Sequence, residues 1–303
     1  MRAAFALLAL TGALFAQDVL VISPPEFRPA LKDWLAYRRA QGLEVAVALP
    51  GEDVRAVVVR QHKHSEGRLR FVMLLGDVKR IDCAYFDGRI IKPYEDDPRI
   101  ANDHHLADLD GDHLPELAVG RIPADTVEEA RAMLDKVIRY EKNANFGGWR
   151  RRLNVIAGVG GFGRMQDWAL ESVTQRFLSI NVPAEVDLHV TYANPNSAFC
   201  PPPTKLRFVI RERFSEGALA VAYLGHGSRL RLDRMRYEGF KYDIFTEEDV
   251  PYLEARRGAP IAFLVCCNAG QFDGAPDCLG EAMFKEKGGP VAVIASSRVS
   301  MPY

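Results

Sequence analysis

The sequence predicts an α/β protein in which parallel-rich sheets are flanked by helices. Two continuous apolar runs, residues 219–224 and 261–265, each lead into a glycine-containing turn, which is typical of strands buried on both faces of a parallel sheet. Strand-like and helix-like segments also alternate along the first half with short connections. In such sheets the carboxyl ends of neighbouring strands share one edge, where ligands bind.

The first residues have the pattern of an export signal. Met1 and Arg2 form a short basic end, and an apolar stretch of about a dozen residues continues to Phe15, which suits a signal-peptide core and is too short to span a bilayer. We expect residues 1–16 to be a signal peptide, cleaved after Ala16, and the mature protein to be secreted or at the cell surface. A buried N-terminal helix is the alternative. No other stretch predicts a membrane span.

Composition fits a globular enzyme. The 303 residues suffice for one large or two modest α/β domains, and a net charge of −1 gives no electrostatic footprint for nucleic acid or an anionic membrane. The five cysteines are an odd number, so an exported protein keeps at least one thiol free or intermolecular. That is expected if one cysteine is a nucleophile.

The first half has a βαβαβ pattern. We predict strands at 19–22, 43–49 and 71–75, a helix from Pro24 to about Ala40, and a second helix beginning near Glu52. After a further strand from Leu117, Asp125 or Thr126 caps a helix with acidic residues in its first turn and basic residues near its end. Residues 143–148 are the best boundary candidate, which divides the chain into two closely packed α/β subdomains, 17–145 and 146–303.

An acidic stretch at residues 102–116 lies between these elements. Its alternating carboxylates, Gly111 and the later Glu116 suit a hard, oxygen-liganded cation such as calcium. It is not an EF-hand loop, because the glycine comes too early and helices do not flank it. A solvated acidic loop would have the same composition, so the residues alone leave both open. The histidines of this stretch lack a neighbouring thiol pair, which disfavours zinc.

The second half continues the alternation. Strands are predicted at 153–157, 185–192, 219–224, 261–265 and 291–295, with helices at 166–178, 205–214 and 279–287 and a short helix beginning at Thr246. The turn after the first of these strands contains Gly158-x-Gly160-Gly161-x-Gly163, the spacing of dinucleotide-binding loops. An acidic residue at the end of the next strand is missing, so a loop bordering the functional edge is the simpler interpretation.

Reactive side chains follow both apolar runs. His226 lies in Gly225-His226-Gly227-Ser228 after the first, and Cys266 and Cys267 follow the second. A thiol beside an imidazole is the minimal arrangement of a cysteine nucleophile. A buried, inert cysteine and an ordinary loop histidine are the alternative interpretation.

The segments Tyr223-Leu224-Gly225-His226-Gly227-Ser228 and Cys267-Asn268-Ala269-Gly270-Gln271-Phe272 resemble the gingipain family of secreted bacterial cysteine peptidases, which have a caspase-like fold. The resemblance implies that Cys267 is the nucleophile and His226 the general base and acid. Peptide bonds of a protein or peptide substrate would be hydrolysed through a thioester, with backbone N–H groups of Gly227 and Cys267 meeting the oxyanion. Cys266 would point to the other face of the strand end. A catalytically inactive gingipain-like surface or secretion-associated module is the alternative.

The same resemblance implies further residues. It places calcium ligands at Asp77, Asp103, Asp112 and Glu116, and Asp108 and Asp110 lie inside the same matching stretch. Asp167 falls where arginine-specific members carry the acid that binds the substrate guanidinium, which predicts cleavage after Arg; capping of a helix start is the alternative role. The acid that the family places near its histidine falls on Gly160. The family also leads us to expect a helix and a strand beyond Tyr303.

Overall fold

The chain is organised on two parallel sheets. The structure is a computed structural model that describes residues 17–51, 53–88, 99–143, 146–160, 182–255 and 258–300. The strands are β1 (Val19–Ile22), β2 (Val45–Ala48), β3 (Phe71–Leu75), β4 (Ala84–Asp87), β5 (Arg99–Asn102), β6 (Ala118–Ile122), β7 (Arg152–Ala157), β8 (Asp187–Tyr192), β9 (Ala220–Leu224), β10 (Gly227–Ser228), β11 (Arg231–Leu232), β12 (Arg234–Tyr237), β13 (Phe240–Asp243), β14 (Ile261–Val265) and β15 (Ala292–Ala295). The helices are α1 (Lys32–Ala40), α2 (Val54–His64), α3 (Val127–Glu141), α4 (Leu206–Ser215) and α5 (Leu279–Lys285).

Strand order confirms the predicted fold class. The first sheet has the order β2-β1-β3-β6 and the second the order β15-β14-β9-β7-β8, and every pair within them is parallel. Within the described residues, three antiparallel strand pairs, β4–β5, β10–β11 and β12–β13, lie outside these sheets and were not predicted. The first sheet uses strands before residue 145 and the second uses strands after it; the division into subdomains there stays a prediction.

Helices cover both faces of the first sheet. Because side chains alternate along a strand, Val19 and Val21 of β1 pack with residues of α1 and α3, including Trp34 and Met133. Leu20 and Ile22 face the other way, toward α2. In the second sheet, Val221 and Tyr223 of β9 pack with Ile210 and Phe214 of α4. Burial on both faces explains the unbroken apolar sequence of β1. In β9 and β14, where burial on both faces was also expected, only alternate residues are fully buried, and Val265 of β14 is exposed.

Two predicted helices differ from the structure because of proline. The segment expected to be helical from Pro24 begins as a 3-10 helix, Pro25–Leu31, and becomes α-helical only at α1. The helix after Thr246 is also 3-10, Glu247–Tyr252. Each contains an internal proline, Pro29 or Pro251, which has no backbone N–H to donate. The predicted helix 166–178 and signal peptide 1–16 lie outside the described residues.

Helix α3 of the first half contacts α5 of the second. The buried Lys136 donates hydrogen bonds to the backbone oxygens of Phe284 and Glu286, so it caps the carboxyl end of α5. Lys285 in turn pairs with Asp125 and Asp277, each at 2.7 Å. These contacts join the first half of the chain to the second. In the part of the chain that the structure describes, no helix has both the length and the apolar character needed to span a bilayer.

Lys136 should make stability depend on pH. Burial lowers the pKa of its ammonium to about 7, so above that pH the unfolded chain binds a proton that the folded protein does not. Because the unfolded chain binds more protons between the folded-state and unfolded-state pKa values, a rise in pH destabilises the unfolded chain relative to the folded protein. The free energy of unfolding should therefore increase with pH from about 7 to about 10. Between pH 7 and pH 9, the free energy of unfolding of the wild-type protein, measured with denaturant, should increase by about 2 kcal/mol more than that of Lys136→Met.

The exposed Lys142, just after the same helix, provides the control for this measurement. Lys142→Met should keep the wild-type pH dependence. Equal slopes for the wild-type protein and Lys136→Met would show that the buried ammonium does not titrate in this range.

Candidate active site

His226 and Cys267 lie at the ends of neighbouring strands. β9 and β14 are parallel partners with Leu224 opposite Val265, and the Gly225 N–H extends the pairing by donating to the Val265 oxygen at 3.3 Å. Both reactive residues come two positions after the last strand residue. The structure therefore brings the two predicted catalytic segments to the same edge of the sheet.

Gly227 lets the histidine segment lie directly on the cysteine segment. A Cβ atom at this glycine would be 2.6 Å from Cys266 Sγ and 3.0 Å from the Cys267 backbone oxygen. Real side chains do not tolerate such distances. The approach of the two segments therefore depends on the absence of a side chain at the residue that follows the histidine.

The two adjacent thiols have different environments. Cys266 is 2% exposed, and burial, together with the neighbouring Cys267, raises its pKa to about 12. Cys267 is half-buried, and its Sγ lies 3.6 Å from the Ser300 backbone oxygen. Because the thiolate is the reactive form, burial disfavours the reactive form of Cys266, and Cys267 is the more accessible of the two adjacent thiols. All five cysteines lie in described residues, and each is a free thiol.

The segment after β15 braces the turn that follows Cys267. The Asn268 N–H donates to the Arg298 oxygen at 3.1 Å, and the Gly270 N–H donates to the Ser296 oxygen at 2.9 Å. Asn268 has φ of 57°, a left-handed conformation that asparagine tolerates better than most residues. Backbone hydrogen bonds from the segment that follows β15 therefore fix the conformation of the turn after Cys267.

A buried ion pair, not predicted from the sequence, reinforces this bracing. Arg298 donates to both carboxylate oxygens of Asp273 at 2.9 and 2.7 Å, and both side chains are almost fully buried. Burial works to raise the pKa of Asp273, but the guanidinium outweighs it and the pKa lies below its ordinary value. The sequence placed Arg298 three residues after the predicted strand 291–295, but its partner 25 residues away could not be inferred.

The first half of the chain reaches this site. Ser297 Oγ donates to the Ala101 oxygen of β5 at 2.7 Å. The Arg121 guanidinium of β6 lies 5.4 Å from the ring centre of Phe272 and donates to both carboxylate oxygens of Asp103. A predicted calcium ligand, Asp103, is therefore the partner of an arginine beside the cysteine segment.

The acidic residues that the structure gathers differ from the set implied by the resemblance. Among the described residues, carboxylate oxygens of Asp108, Asp110 and Glu116 lie within 4.8 Å of one another, and this group does not include Asp77, Asp103 or Asp112. Asp77 is buried, which raises the pKa of its carboxyl. The gathered oxygens are of the chemical type that calcium prefers, and Glu116 is the residue common to both sets.

Two further residues were predicted to matter for the site, Gly160 and Asp167. Gly160 has φ of 78°, a conformation that favours glycine, so the loop after β7 turns where the family would carry an acid. Asp167 lies outside the described residues.

Comparison with known proteins identifies the family. The model of peptidase family C25 matches residues 14–303. The chain belongs to peptidase family C25. Gingipain R2 of Porphyromonas gingivalis is 25% identical over 295 residues, covering 92% of this C25 chain and 36% of the relative; Lys-gingipain of the same organism has the same identity, with 15% of the relative covered. The chain thus spans only about a third or less of these relatives.

A solved structure supports the fold of this C25 chain. The crystal structure of the Arg-specific cysteine proteinase gingipain R has a TM-score of 0.72 at 20% identity, covering 94% of this chain and 64% of the other. The complex of the pro- and mature domains of the Porphyromonas gingivalis proteinase RgpB gives a TM-score of 0.70. The predicted caspase-like fold is confirmed.

Proposed function

We propose that this C25 chain is a secreted cysteine endopeptidase with Cys267 as the nucleophile and His226 as the general base and acid. The observation that carries the proposal is the contact at Gly227, which sets the histidine segment on the cysteine segment at one sheet edge. Membership of a peptidase family supports the same chemistry. The unequal environments of Cys266 and Cys267 favour the second thiol.

Peptide cleavage would proceed in two steps. The Cys267 thiolate attacks the scissile carbonyl carbon, and the C–N bond breaks as the His226 imidazolium gives its proton to the leaving amine, which leaves a thioester. Water then attacks the thioester carbonyl carbon while His226 takes one of its protons, and the C–S bond breaks to release the Cys267 thiolate and a carboxylic acid, which loses its proton to solvent. Backbone N–H groups of Gly227 and Cys267 are proposed to stabilise the oxyanion in both steps.

Labelling with a peptidyl electrophile that reacts with thiols tests the proposal. We expect one adduct on Cys267, located by mass spectrometry of the digested protein, and loss of hydrolysis in proportion to labelling. His226→Ala should slow the labelling. A protein that neither reacts with the electrophile nor cleaves any peptide of a mixed library would be the inactive surface or secretion-associated module instead.

We propose that cleavage follows Arg and that Asp167 binds the guanidinium. Among the matched proteins, gingipain R is described as Arg-specific, and a carboxylate can form two parallel hydrogen bonds with a guanidinium but not with the ammonium of Lys. In a mixed peptide library, Asp167→Asn should lower kcat/KM for Arg substrates by about 100-fold and leave apolar substrates unaffected.

Asp33, an exposed acid in the first turn of α1, supplies the control, because Asp33→Asn removes a helix-start charge without touching the site. It should retain wild-type selectivity. A wild-type preference for apolar residues, or an Arg preference unchanged by Asp167→Asn, would contradict the assignment.

Export rests on the sequence of the first sixteen residues, which has a basic end and an apolar core. We propose removal of residues 1–16 during secretion. N-terminal sequencing of the protein recovered outside the producing cells should begin at Gln17. A mature protein that still contains the first residues would oppose the proposal.

A calcium ion is proposed to stabilise the first half, with Glu116 among its ligands. In protein first freed of metal, the melting temperature should rise with calcium concentration and fall again on chelation, because a ligand of the folded state alone stabilises it. Glu116→Gln should remove the shift. Two further variants distinguish the ligand sets. Asp108→Asn should abolish the shift if the carboxylates gathered in the structure bind the ion. Asp112→Asn should abolish it if the set implied by the resemblance does.

Glu128→Gln, an exposed change in the first turn of α3, should leave the calcium response intact. A melting temperature that ignores both calcium and chelator would eliminate the site.

A further inference from the structure

The imidazole of a cysteine peptidase must be held in a fixed orientation, because small displacements of a catalytic group cost much of the rate. In this chain the position that the family resemblance gives to an acid is Gly160, which has no side chain to offer. Other described residues contact the backbone of the His226 segment, and the inference drawn from them rests on the proposed peptidase function.

Tyr223 is bound to the His226 backbone. The tyrosine lies in β9, is fully buried, and donates its hydroxyl proton to the His226 oxygen at 2.7 Å. The same hydroxyl accepts a hydrogen bond from the Asp233 N–H at 3.3 Å. Burial raises the pKa of this phenol well above its ordinary value, so it remains a donor throughout the pH range in which such an enzyme works.

Two glycines make room for this hydroxyl. A Cβ atom at Gly158, just after β7, would be 2.8 Å from Tyr223 Oη, and one at Gly225, just after β9, would be 2.6 Å from it. The backbones of these glycines are themselves in close contact, since the Gly158 N–H donates to the Leu224 oxygen at 2.7 Å. The Tyr223 hydroxyl is thus enclosed between the ends of β7 and β9. This confinement favours the His226 oxygen as its hydrogen-bond acceptor.

Asp233 joins the same network from the other side. Its Oδ2 accepts from the Val159 N–H at 3.3 Å and its Oδ1 from the Arg234 N–H at 2.7 Å. Val159 immediately precedes Gly160. The carboxylate of Asp233 therefore fastens the glycine loop after β7, while its backbone N–H engages the tyrosine that holds His226.

We propose that Tyr223, together with Asp233, is a positioning residue for His226, and that this hydroxyl–carboxylate network orients the histidine segment in a site whose β7 loop carries Gly160 in place of an acid. Tyr223 does not touch the substrate in this scheme. It acts through the His226 backbone and sets where the imidazole lies relative to Cys267.

Tyr223→Phe removes one oxygen atom and keeps the ring in the core. In the full chain, with a peptide substrate, we expect kcat to fall by about tenfold or more while KM stays within about twofold, because only the catalytic group has moved. The rate of Cys267 alkylation by iodoacetamide at neutral pH should fall in parallel, since thiolate formation depends on the imidazole. Asp233→Asn should lower kcat as well, and the double variant should lose less than the product of the two effects.

Ile210→Val gives a core control in the same hydrophobic cluster. It should lower the melting temperature without changing kcat or the alkylation rate. A Tyr223→Phe protein with wild-type kcat and alkylation, whatever its melting temperature, would overturn the inference. If Tyr223→Phe does not fold, Asp233→Ala decides: a kcat within about twofold of wild type would reject the network.

Cys267→Ala, measured in the same series, separates this inference from the proposed function. Hydrolysis that survives Cys267→Ala would refute the peptidase assignment itself. An inactive Cys267→Ala beside a fully active Tyr223→Phe would refute only the positioning role.

Discussion

Cys267→Ala should abolish peptide hydrolysis, whereas Cys266→Ala should leave most of it. Removing a covalent nucleophile normally costs several orders of magnitude in kcat, roughly 10⁴-fold or more. Cys266 is buried, and burial raises its pKa to about 12. We therefore expect its side chain to contribute to packing and not to act as a thiolate nucleophile. Initial rates on a fluorogenic peptide, together with the melting temperature of each variant, measure both effects.

The adjacent thiols serve as controls for one another, because they share one backbone segment and one substitution. Loss of a small buried side chain should lower the melting temperature of Cys266→Ala more than that of Cys267→Ala. An inactive Cys266→Ala beside an active Cys267→Ala would reverse the assignment.

Gly227→Ala should lower kcat/KM by about 100-fold, since a displacement of about 1 Å at a catalytic group has effects of this size. The new methyl carbon would lie 2.6 Å from Cys266 Sγ, 2.9 Å from its Cβ and 3.0 Å from the Cys267 oxygen. The histidine segment must therefore retreat from the cysteine segment. Steady-state kinetics and the rate of iodoacetamide alkylation report this separation.

Gly120→Ala in β6 is the matched control, because nothing lies within 4 Å of its added Cβ. It should retain wild-type kinetics. In the double variant Gly227→Ala/Cys266→Ala the sulfur is gone, so part of the lost activity should return. Wild-type kinetics for Gly227→Ala alone would mean that the contact has no role in catalysis.

The parts of the fold that were predicted correctly are those with a strong local pattern. The predicted bounds of β1, β3 and β14 coincide with the observed strands, since each is a continuous apolar run ended by a polar or glycine-containing turn. The Thr126 cap of α3 was one of two residues named, and its hydroxyl does accept from the Glu129 N–H. The same local patterns brought His226 and Cys267 to one edge, because parallel neighbours end together.

The parts that were missed depend on partners distant in sequence. Hairpin β4–β5 has an exposed Tyr85 and Phe86 and no regular alternation, so the sequence indicates no strand there. Two examples are the ion pair of Asp273 with Arg298 and the capping of α5 by Lys136. In both, the partners are far apart in the sequence and meet only in the folded protein. Charged residues at such positions are normally exposed, and their burial is a property of the tertiary structure.

The positioning network shows the same limit inside the site. In the sequence Tyr223 is one member of an apolar strand, and nothing distinguishes its hydroxyl from that of any buried tyrosine. Asp233 is an ordinary loop acid. The confinement of this hydroxyl shows only in the structure, in its hydrogen bond to the His226 oxygen and in the lack of room for a Cβ atom at Gly158 and Gly225.

The contacts between the halves of the chain have a consequence for how the protein loses activity. Ser297, which follows β15, donates a hydrogen bond to β5, and Lys136 of α3 caps α5, so separating the two halves breaks hydrogen bonds that both halves contribute to. Local opening of the first half would leave the Ser297 hydroxyl and the α5 carbonyls unpaired, which penalises partly unfolded species. Thermal denaturation should consequently be a single cooperative event, with heat absorption, loss of tertiary signal and inactivation sharing one midpoint.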